Sequence, residues 1–206
     1  MFNDDDIKIK LATPEEICNV ALAVRRQVFV EELGIPENMD FDGNDGPAAH
    51  VIAYIQKQDQ KVPVGTMRIR SFAGFVMFER MAVVHDYRKT NVSENIMQYG
   101  FDYVAQKGHR IVKALCKEEL LPRWQSCGFY VDEKSRKVEH NGMTLLPICR
   151  DLPPHPRALT INSDISLLIA TEGEWDKKAQ EIKESSIIDG ARLKLAELNE
   201  KKKFEY

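Results

Sequence analysis

The spacing of apolar residues predicts a strand and a helix at the start of the chain. Apolar and polar positions alternate over residues 7–12, which predicts a short strand. A helical repeat follows up to Gly34, and Thr13 with Glu16 three residues later matches a capping box at its start. The next segment, 34–49, is acidic and rich in turn-forming residues, so we expect an irregular loop.

A meander of three strands and a second helix follow in the pattern. The strands are predicted at residues 50–57, 63–71 and 75–84, with short turns between them. An apolar stripe that ends at Gly108 predicts the helix. The nearly all-apolar segment 110–116 then predicts a strand that is covered on both faces of the sheet.

A short helix and two closing strands complete this part of the chain. The helix is expected to bend at Pro122, and the strands are expected at residues 128–133 and 143–149. The order of these elements predicts an α+β fold. Its sheet is mixed and mostly antiparallel, with one parallel crossover and helices on its flanks.

The last quarter of the chain has a different composition. Residues 151–160 are rich in proline and cannot continue a regular element, so we predict one domain at 1–150 and a C-terminal helical extension at 151–206. Two charged helical runs are expected in the extension. Two interpretations stay open: a solvated helical hairpin packed on the domain, or an arm for oligomerisation that would make a homodimer.

Composition and charge narrow the class of partner. The chain has 206 residues, 43% of them hydrophobic, and a formal net charge of only -3, which does not indicate a nucleic-acid-binding protein. No apolar run approaches the roughly 18 residues that span a bilayer, and the acidic N-terminus does not resemble a signal peptide. We therefore expect a cytoplasmic protein with no membrane partner. The five histidines are isolated, so no metal site is expected.

Two segments and the element order resemble a known superfamily. Residues 24–50 read VRRQVFVEELGIPENMDFDGNDGPAAH, and residues 127–131 read CGFYV. With the order of elements over about 7–150, they resemble the GNAT superfamily of acyl-CoA-dependent N-acyltransferases, in particular a branch of small bacterial acetyltransferases. The resemblance implies a GNAT-like sheet in which the strand at 75–84 diverges from its parallel neighbour. Acyl-CoA would lie in the gap between them.

The resemblance also implies which residues bind acetyl-CoA, the expected co-substrate. Its pantetheine arm would pair with the main chain of Met81, Ala82 and Val83. Its pyrophosphate would lie on a loop that the family writes as Arg-x-x-Gly-x-Gly/Ala. The matching positions here are Arg88, Lys89, Thr90, Asn91, Val92 and Ser93.

The chemistry of this loop can be considered without the family. Unpaired N–H groups and the dipole at a helix start attract an anion, and Arg88 and Lys89 add formal charge. Asn91 and Ser93 replace both glycines, but asparagine tolerates positive φ and serine is small. We therefore predict a loop that still binds pyrophosphate. The alternative is an ordinary capped helix with two solvated cations.

The catalytic residues are assigned by the same resemblance. Glu79 is the candidate general base because the superfamily often has a carboxylate just before the CoA-pairing segment. The alternative is a strand residue that pairs with Arg68 or Arg70. The family's usual acid, a tyrosine, is replaced by Trp124. Tyr130 and Cys127 lie nearby in the sequence and are the candidate proton donors, and the alternative is that solvent protonates the thiolate.

An acidic rim suits an amine acceptor, either a small molecule or a peptide. The candidate acceptor-binding residues are Arg26, Glu31, Asp40 and Asp42, and the alternative is a solvated loop. Three functions stay open: an N-acetyltransferase, an enzyme that resembles acyl-homoserine lactone synthases, and a GNAT-fold protein that binds CoA or a partner without turnover.

Overall fold

Most of the strands form one sheet in the computed structural model, which describes residues 7–57, 60–140 and 142–203. The strands are β1 Ile7–Leu11, β2 Ala49–Lys57, β3 Gln60–Phe72, β4 Phe75–Val83, β5 Ile111–Cys116, β6 Tyr130–Val131, β7 Val138–His140 and β8 Met143–Asp151. Their order across the sheet is β1-β2-β3-β4-β5-β8-β6, and β7 pairs with β8. The β4–β5 pair is parallel and the other pairs are antiparallel, which confirms the predicted fold class.

Helices cover the sheet and form the C-terminal part. They are α1 Pro14–Glu16, α2 Leu22–Arg25, α3 Glu37–Asp40, α4 Val92–Gln106, α5 Leu121–Ser126, α6 Ile165–Leu168 and α7 Trp175–Lys203. Two π-helical segments, Ile17–Ala21 and Arg26–Glu32, continue α1 and α2 into one helix, called the first helix below. The capping box at its start is confirmed, because Thr13 and Glu16 exchange hydrogen bonds. The π-helical segments were not predicted.

Two glycines bring α4 close to the sheet. A Cβ atom on Gly65 of β3 would lie 2.9 Å from a methyl group of Val92 and 2.8 Å from one of Ile96. A Cβ atom on Gly100 of α4 would lie 2.7 Å from Met67 on β3. Both close contacts are possible only because glycine has no side chain. They fix the distance between α4 and the strands β3 and β4 beneath it.

The end of the chain differs from the prediction. The predicted strand at 128–133 is only two residues long, and β7 pairs with Leu145, Thr144 and Met143 of β8 instead. The helical hairpin is wrong, since α7 continues through Gly190 as one helix of 29 residues. The side chains of the leucines in the last part of this helix, Leu193, Leu195 and Leu198, lie outside the described side chains, so the oligomerisation arm stays a prediction.

The chain divides into two compact units between Ala158 and Leu159. All the predicted site residues belong to the first unit. Among the described residues, no helix combines the length and the apolar character that a membrane crossing requires.

We expect Gly65→Ala to destabilise the protein and to displace the start of α4. The added methyl group would also lie 3.3 Å from the carbonyl oxygen of Ala82, so relaxation has to move backbone. Overpacking of this kind costs about 1–3 kcal/mol, which urea denaturation would measure as a loss of unfolding free energy. Gly46→Ala is the control, because no atom lies within 4 Å of its added Cβ. Equal stability of the two variants would contradict the packing argument.

Candidate active site

A cleft opens in the sheet because β4 and β5 pair only at their first residues. The parallel ladder joins Val76 to Val112 and Met77 to Lys113, and both strands lie wholly within the described part of the chain. Beyond Met77, β4 stays paired with β3 on its other side, as far as Val83 opposite Gly65. The cleft-side edge of β4 from Glu79 onward is therefore not paired with β5, as the family resemblance implies.

A bulge in β4 sets the direction of this edge. Between the pairs Arg68–Glu79 and Thr66–Ala82, β4 contains one residue more than β3. Arg80 has a φ of 52°, and it is the only residue other than glycine with positive φ among those the structure describes. Bulges bend a strand and re-aim its side chains.

The main chain at the end of β4 faces the cleft. The N–H of Val84 donates to Val64 of β3 at 2.9 Å, so the carbonyl of the same peptide, that of Val83, points the other way. This carbonyl oxygen accepts a hydrogen bond from Nε of Arg88 at 3.0 Å. By strand alternation, the backbone carbonyl of Met81, two residues earlier, points to the same side of the strand.

The predicted phosphate loop ends in a helix start, but its two glycine replacements do not act as expected. Asn91 is the N-cap of α4 with a φ of -81° and makes no capping bond with its side chain. Ser93 is already inside the helix and is buried, and its hydroxyl donates to Glu94 at 2.9 Å. Neither backbone position needs glycine, so the loss of the two glycines leaves the shape of the helix start intact.

Two arginines flank this helix start. Arg88 forms two hydrogen bonds of 2.6 Å each with the carboxylate of Glu32. Arg123 of α5 donates to the hydroxyl of Ser93 and to Glu94. Lys89 is exposed. The sequence did not indicate Arg123, because only the tertiary fold brings it within reach of residues thirty positions earlier.

The cleft and the helix start together fit an acyl-CoA. An exposed strand edge offers hydrogen bonds to the amides of a pantetheine arm, and the start of α4 with Arg88, Lys89 and Arg123 suits a pyrophosphate. Nothing in the conformations of Asn91 and Ser93 opposes this fit.

A cluster of buried charges joins the first helix, the acidic loop, β3 and β4. Arg25 and Arg68 have relative exposures of 0% and 1%, and both bind the carboxylate of Asp45. Arg25 also binds Asp40, through Nε at 3.1 Å and through the Asp40 carbonyl at 2.6 Å. A buried arginine is stable only when its charge is paired, so this cluster fixes the acidic loop to the first helix and to β3.

Asp40 and Asp42, which the sequence assigned to the acceptor, belong to this ionic network. The Asp40 side chain is buried and lies 3.0 Å from Nε of Arg80. Asp42 receives two hydrogen bonds from Arg68, at 2.7 and 2.8 Å, which hold its pKa well below the usual range. Arg80 is bound by both carboxylates, so the network also holds the bulge of β4.

Glu79 projects from β4 beside the bulge. Its Oε2 accepts from Nη2 and Nε of Arg68 at 2.7 and 3.0 Å, and Nε of Arg70 lies 3.4 Å from the same oxygen. The pairing that the sequence left as the alternative is therefore present. All the contacts that the described residues make with this carboxylate are to Oε2, so Oε1 is available to a water molecule or to a substrate.

The other two predicted acceptor residues line an open cavity of about 1030 Å³ between the first helix and the acidic loop. Arg26 lies over the ring of Phe41, with its guanidinium carbon 5.3 Å from the ring centroid, and it pairs with Glu37. Glu31 is exposed on the same wall. The cavity therefore combines an aromatic surface, one cation and several carboxylates.

The structure does not bring Tyr130 to the cleft. Tyr130 lies on β6, and β5 and β8 separate this strand from β4. Three strand spacings place β6 at least about 14 Å from β4, and the separation of β4 from β5 adds to this distance. Its hydroxyl donates to Asp151 at 2.5 Å, which raises its pKa. Trp124 packs edge-on against Phe129, with ring centroids 5.0 Å apart. Within the described residues, no group of three or more potential metal ligands is present.

Some proteins with similar sequences are named as acetyltransferases. A candidate acetyltransferase of Bacillus subtilis (strain 168) is 32% identical over 127 residues, which are 60% of this chain and 80% of that protein. No protein-family model matches the chain.

Solved structures share the fold. A candidate N-acetyltransferase from Lactobacillus plantarum has a TM-score of 0.63 at 21% identity, over 71% of this chain and 99% of that one. A GNAT family acetyltransferase from Elizabethkingia anophelis with acetyl-CoA bound has a TM-score of 0.52 at 11% identity, over 72% and 99%. The acyl-homoserine lactone synthase BjaI, with SAM and isopentyl-CoA, has a TM-score of 0.57 at 17% identity, over 74% and 86%. Identities this low show the common fold alone.

The buried cluster makes stability depend on pH through His50. Burial lowers the pKa of this histidine to about 4 from 6.5, although Asp45 partly opposes the shift. Below pH 6.5 the unfolded chain therefore binds a proton at His50 that the folded protein does not bind, so stability falls as the pH falls. We expect a loss of about 2 kcal/mol in unfolding free energy between pH 7 and pH 5.

Urea denaturation at both pH values checks this expectation. His50→Gln should remove most of the slope between pH 7 and pH 5, whereas the wild-type slope should persist in His85→Gln, whose side chain is 77% exposed. An unchanged slope in His50→Gln would contradict the assignment.

Proposed function

Because the chain belongs to the GNAT superfamily of acyl-CoA-dependent N-acyltransferases, we propose that it is an N-acetyltransferase that transfers an acetyl group from acetyl-CoA to an amine. The proposal depends on one observation: β4 and β5 separate after their first residues, beside the start of α4. This arrangement offers hydrogen bonds for a pantetheine arm and a positive site for a pyrophosphate within one cleft.

Main-chain groups and cationic side chains form the proposed site for acetyl-CoA, the acetyl donor. Acetyl-CoA supplies the acetyl group as a thioester. The main chain of Met81, Ala82 and Val83 forms the strand edge of the cleft, with the Val83 carbonyl directed into it. The loop from Arg88 to Ser93 provides backbone N–H groups at the start of α4 and the charges of Arg88 and Lys89.

Glu79 is proposed to accept the proton that the amine loses when its nitrogen attacks the thioester carbonyl. The carbon–sulfur bond then breaks, and solvent supplies the proton that the departing thiolate takes up. Arg68 and Arg70 hold Oε2 in place, which leaves Oε1 to receive the proton directly or through a water molecule. Tyr130 is too far from β4 for this role, and the indole of Trp124 is not a proton donor at neutral pH.

The acceptor amine is proposed to bind in the cavity lined by Arg26 and Glu31. The carboxylates on its walls favour a cationic group, and Leu22 and Phe41 offer apolar surface to the rest of the molecule. Asp40 and Asp42 act indirectly, because they hold Arg25, Arg68 and Arg80 and so fix the loop and the bulge.

A second function, a protein that binds CoA without turnover, is favoured by two observations. Arg68 and Arg70 pair with the carboxylate of Glu79, as with a structural strand residue, and Trp124 occupies the position of the family's usual acid. Release of CoA from acetyl-CoA over a panel of amines distinguishes the two functions. A synthase of acyl-homoserine lactones would instead need S-adenosylmethionine, so the panel includes it.

We expect Arg88→Ala to weaken CoA binding by about tenfold or more, because a charge-assisted hydrogen bond contributes about 1.5–3 kcal/mol. Calorimetric titration with CoA and with pantetheine measures the effect, and pantetheine affinity should not change. Lys107→Ala is the control, since it removes an exposed cation at the opposite end of α4. Equal CoA affinity in the two variants would remove Arg88 from the phosphate site.

We expect Glu79→Gln to lower turnover at pH 7 by about 100-fold or more while CoA affinity stays within a few-fold. The amide cannot accept the proton, but the partners that Arg68 has in Asp42 and Asp45 remain. Steady-state rates with the best amine, together with the pH profile, check this expectation. Unchanged turnover would return Glu79 to a purely structural role.

A further inference from the structure

The hydrogen bonds of Arg88 are already occupied by a carboxylate. Nη1 and Nη2 each donate to one oxygen of Glu32 at 2.6 Å, and Nε donates to the Val83 carbonyl. A planar fork of N–H groups that faces two oxygens is also the geometry with which arginine binds a phosphate. Glu32 and a pyrophosphate would therefore use the same donors of Arg88.

The second arginine at the helix start is occupied in a similar way. Nη2 of Arg123 lies 3.2 Å from Oε1 of Glu94 and also binds Ser93. Both arginines beside the predicted phosphate site are thus paired with a glutamate of the same chain. Glu94 belongs to α4 itself, whereas Glu32 comes from the first helix, 56 positions before Arg88.

The Arg88–Glu32 pair is accessible to a competing anion. The two side chains are 34% and 33% exposed. The hydrogen bonds from Arg88 lower the pKa of Glu32, so its carboxylate is charged at neutral pH. A bidentate pair is a strong form of surface ion pair, but solvent reaches both partners here and screens their attraction, so a doubly charged group can compete with the singly charged carboxylate.

We propose that Glu32 is a resident anion on Arg88, which the pyrophosphate of the donor has to replace, and that this exchange releases the end of the first helix beside the acceptor cavity. The inference rests on the proposed function, because it takes the loop after β4 as the donor's phosphate site. It adds a competitor within the chain and a physical link between donor binding and the acceptor side.

The end of the first helix is suited to such a link. Glu32 closes the π-helical segment that also contains Arg26 and Glu31, two of the residues that line the cavity. The turn beyond it is held by backbone hydrogen bonds from Leu33, Gly34 and Ile35 to residues 28–30. π-Helical segments are rare and often occur at functional sites. Loss of the Glu32 contact removes the ion pair that ties this end of the helix to the phosphate loop.

Calorimetric titration of Glu32→Gln with CoA and with inorganic pyrophosphate tests the competition. We expect both to bind about two- to fivefold more tightly than to the wild type, as follows from the strength of an exposed ion pair, with pantetheine unaffected. Glu15→Gln is the matched control, because it removes the same charge from an exposed site at the other end of the first helix. Its affinities should equal those of the wild type.

Two results would overturn the inference, and they are distinguishable. If the wild type binds CoA and Glu32→Gln binds it equally or more weakly, Glu32 is not a competitor and the proposed function stands. If neither form binds CoA or pyrophosphate, the donor site itself is wrong and the proposed function fails with the inference.

Hydrogen exchange tests the link to the acceptor side. In the wild type, CoA should speed exchange of the amides of Leu33, Gly34 and Ile35, and in Glu32→Gln these amides should exchange at the faster rate before CoA is added. Unchanged protection at these amides, measured in a wild type that binds CoA, would contradict the release of the helix end.

Discussion

The left-handed backbone of Arg80 is the constraint on which the site depends. A residue with a side chain at a φ of 52° costs about 1–3 kcal/mol unless its surroundings hold it there. Asp40, Asp42 and the Met39 carbonyl all bind the Arg80 guanidinium, so the acidic loop holds the bulge in place. The bulge in turn lies where β4 has left β5, and it directs the main chain of the strand end into the cleft.

The charges of this region therefore act mainly on each other. Arg25 and Arg68 are buried against Asp40, Asp42, Asp45 and Glu79, and such a group is stable only when every charge is paired. An acidic loop that looks in sequence like a surface for a cationic substrate is largely an internal support. The groups that can meet a substrate are fewer: Oε1 of Glu79, the strand edge, the start of α4 and the walls of the cavity.

Features that depend on neighbouring residues were predictable from the sequence, and most of those that depend on distant pairing were not. The capping box of Thr13 and Glu16 is local, so its pattern predicts it. The burial of Arg25 depends on Asp40 and Asp45, fifteen and twenty residues away, and no local pattern distinguishes it from the exposed Arg26. A π-helical turn shifts the backbone bonding by one residue, whereas the apolar residues of the first helix recur at the ordinary spacing of an α-helix, so their pattern does not indicate the shift. Asn91 was expected to tolerate positive φ, but the helix start does not require it.

Assigned ¹H–¹⁵N spectra recorded during a titration with CoA test the central claim, that the gap between β4 and β5 beside the start of α4 is the donor site. The account predicts the largest shifts at the amides of Met81, Val83, Val92, Ser93 and Glu94, with no change at Lys107 at the far end of the same helix. Shifts confined to other parts of the chain, or none at saturating CoA, would contradict it.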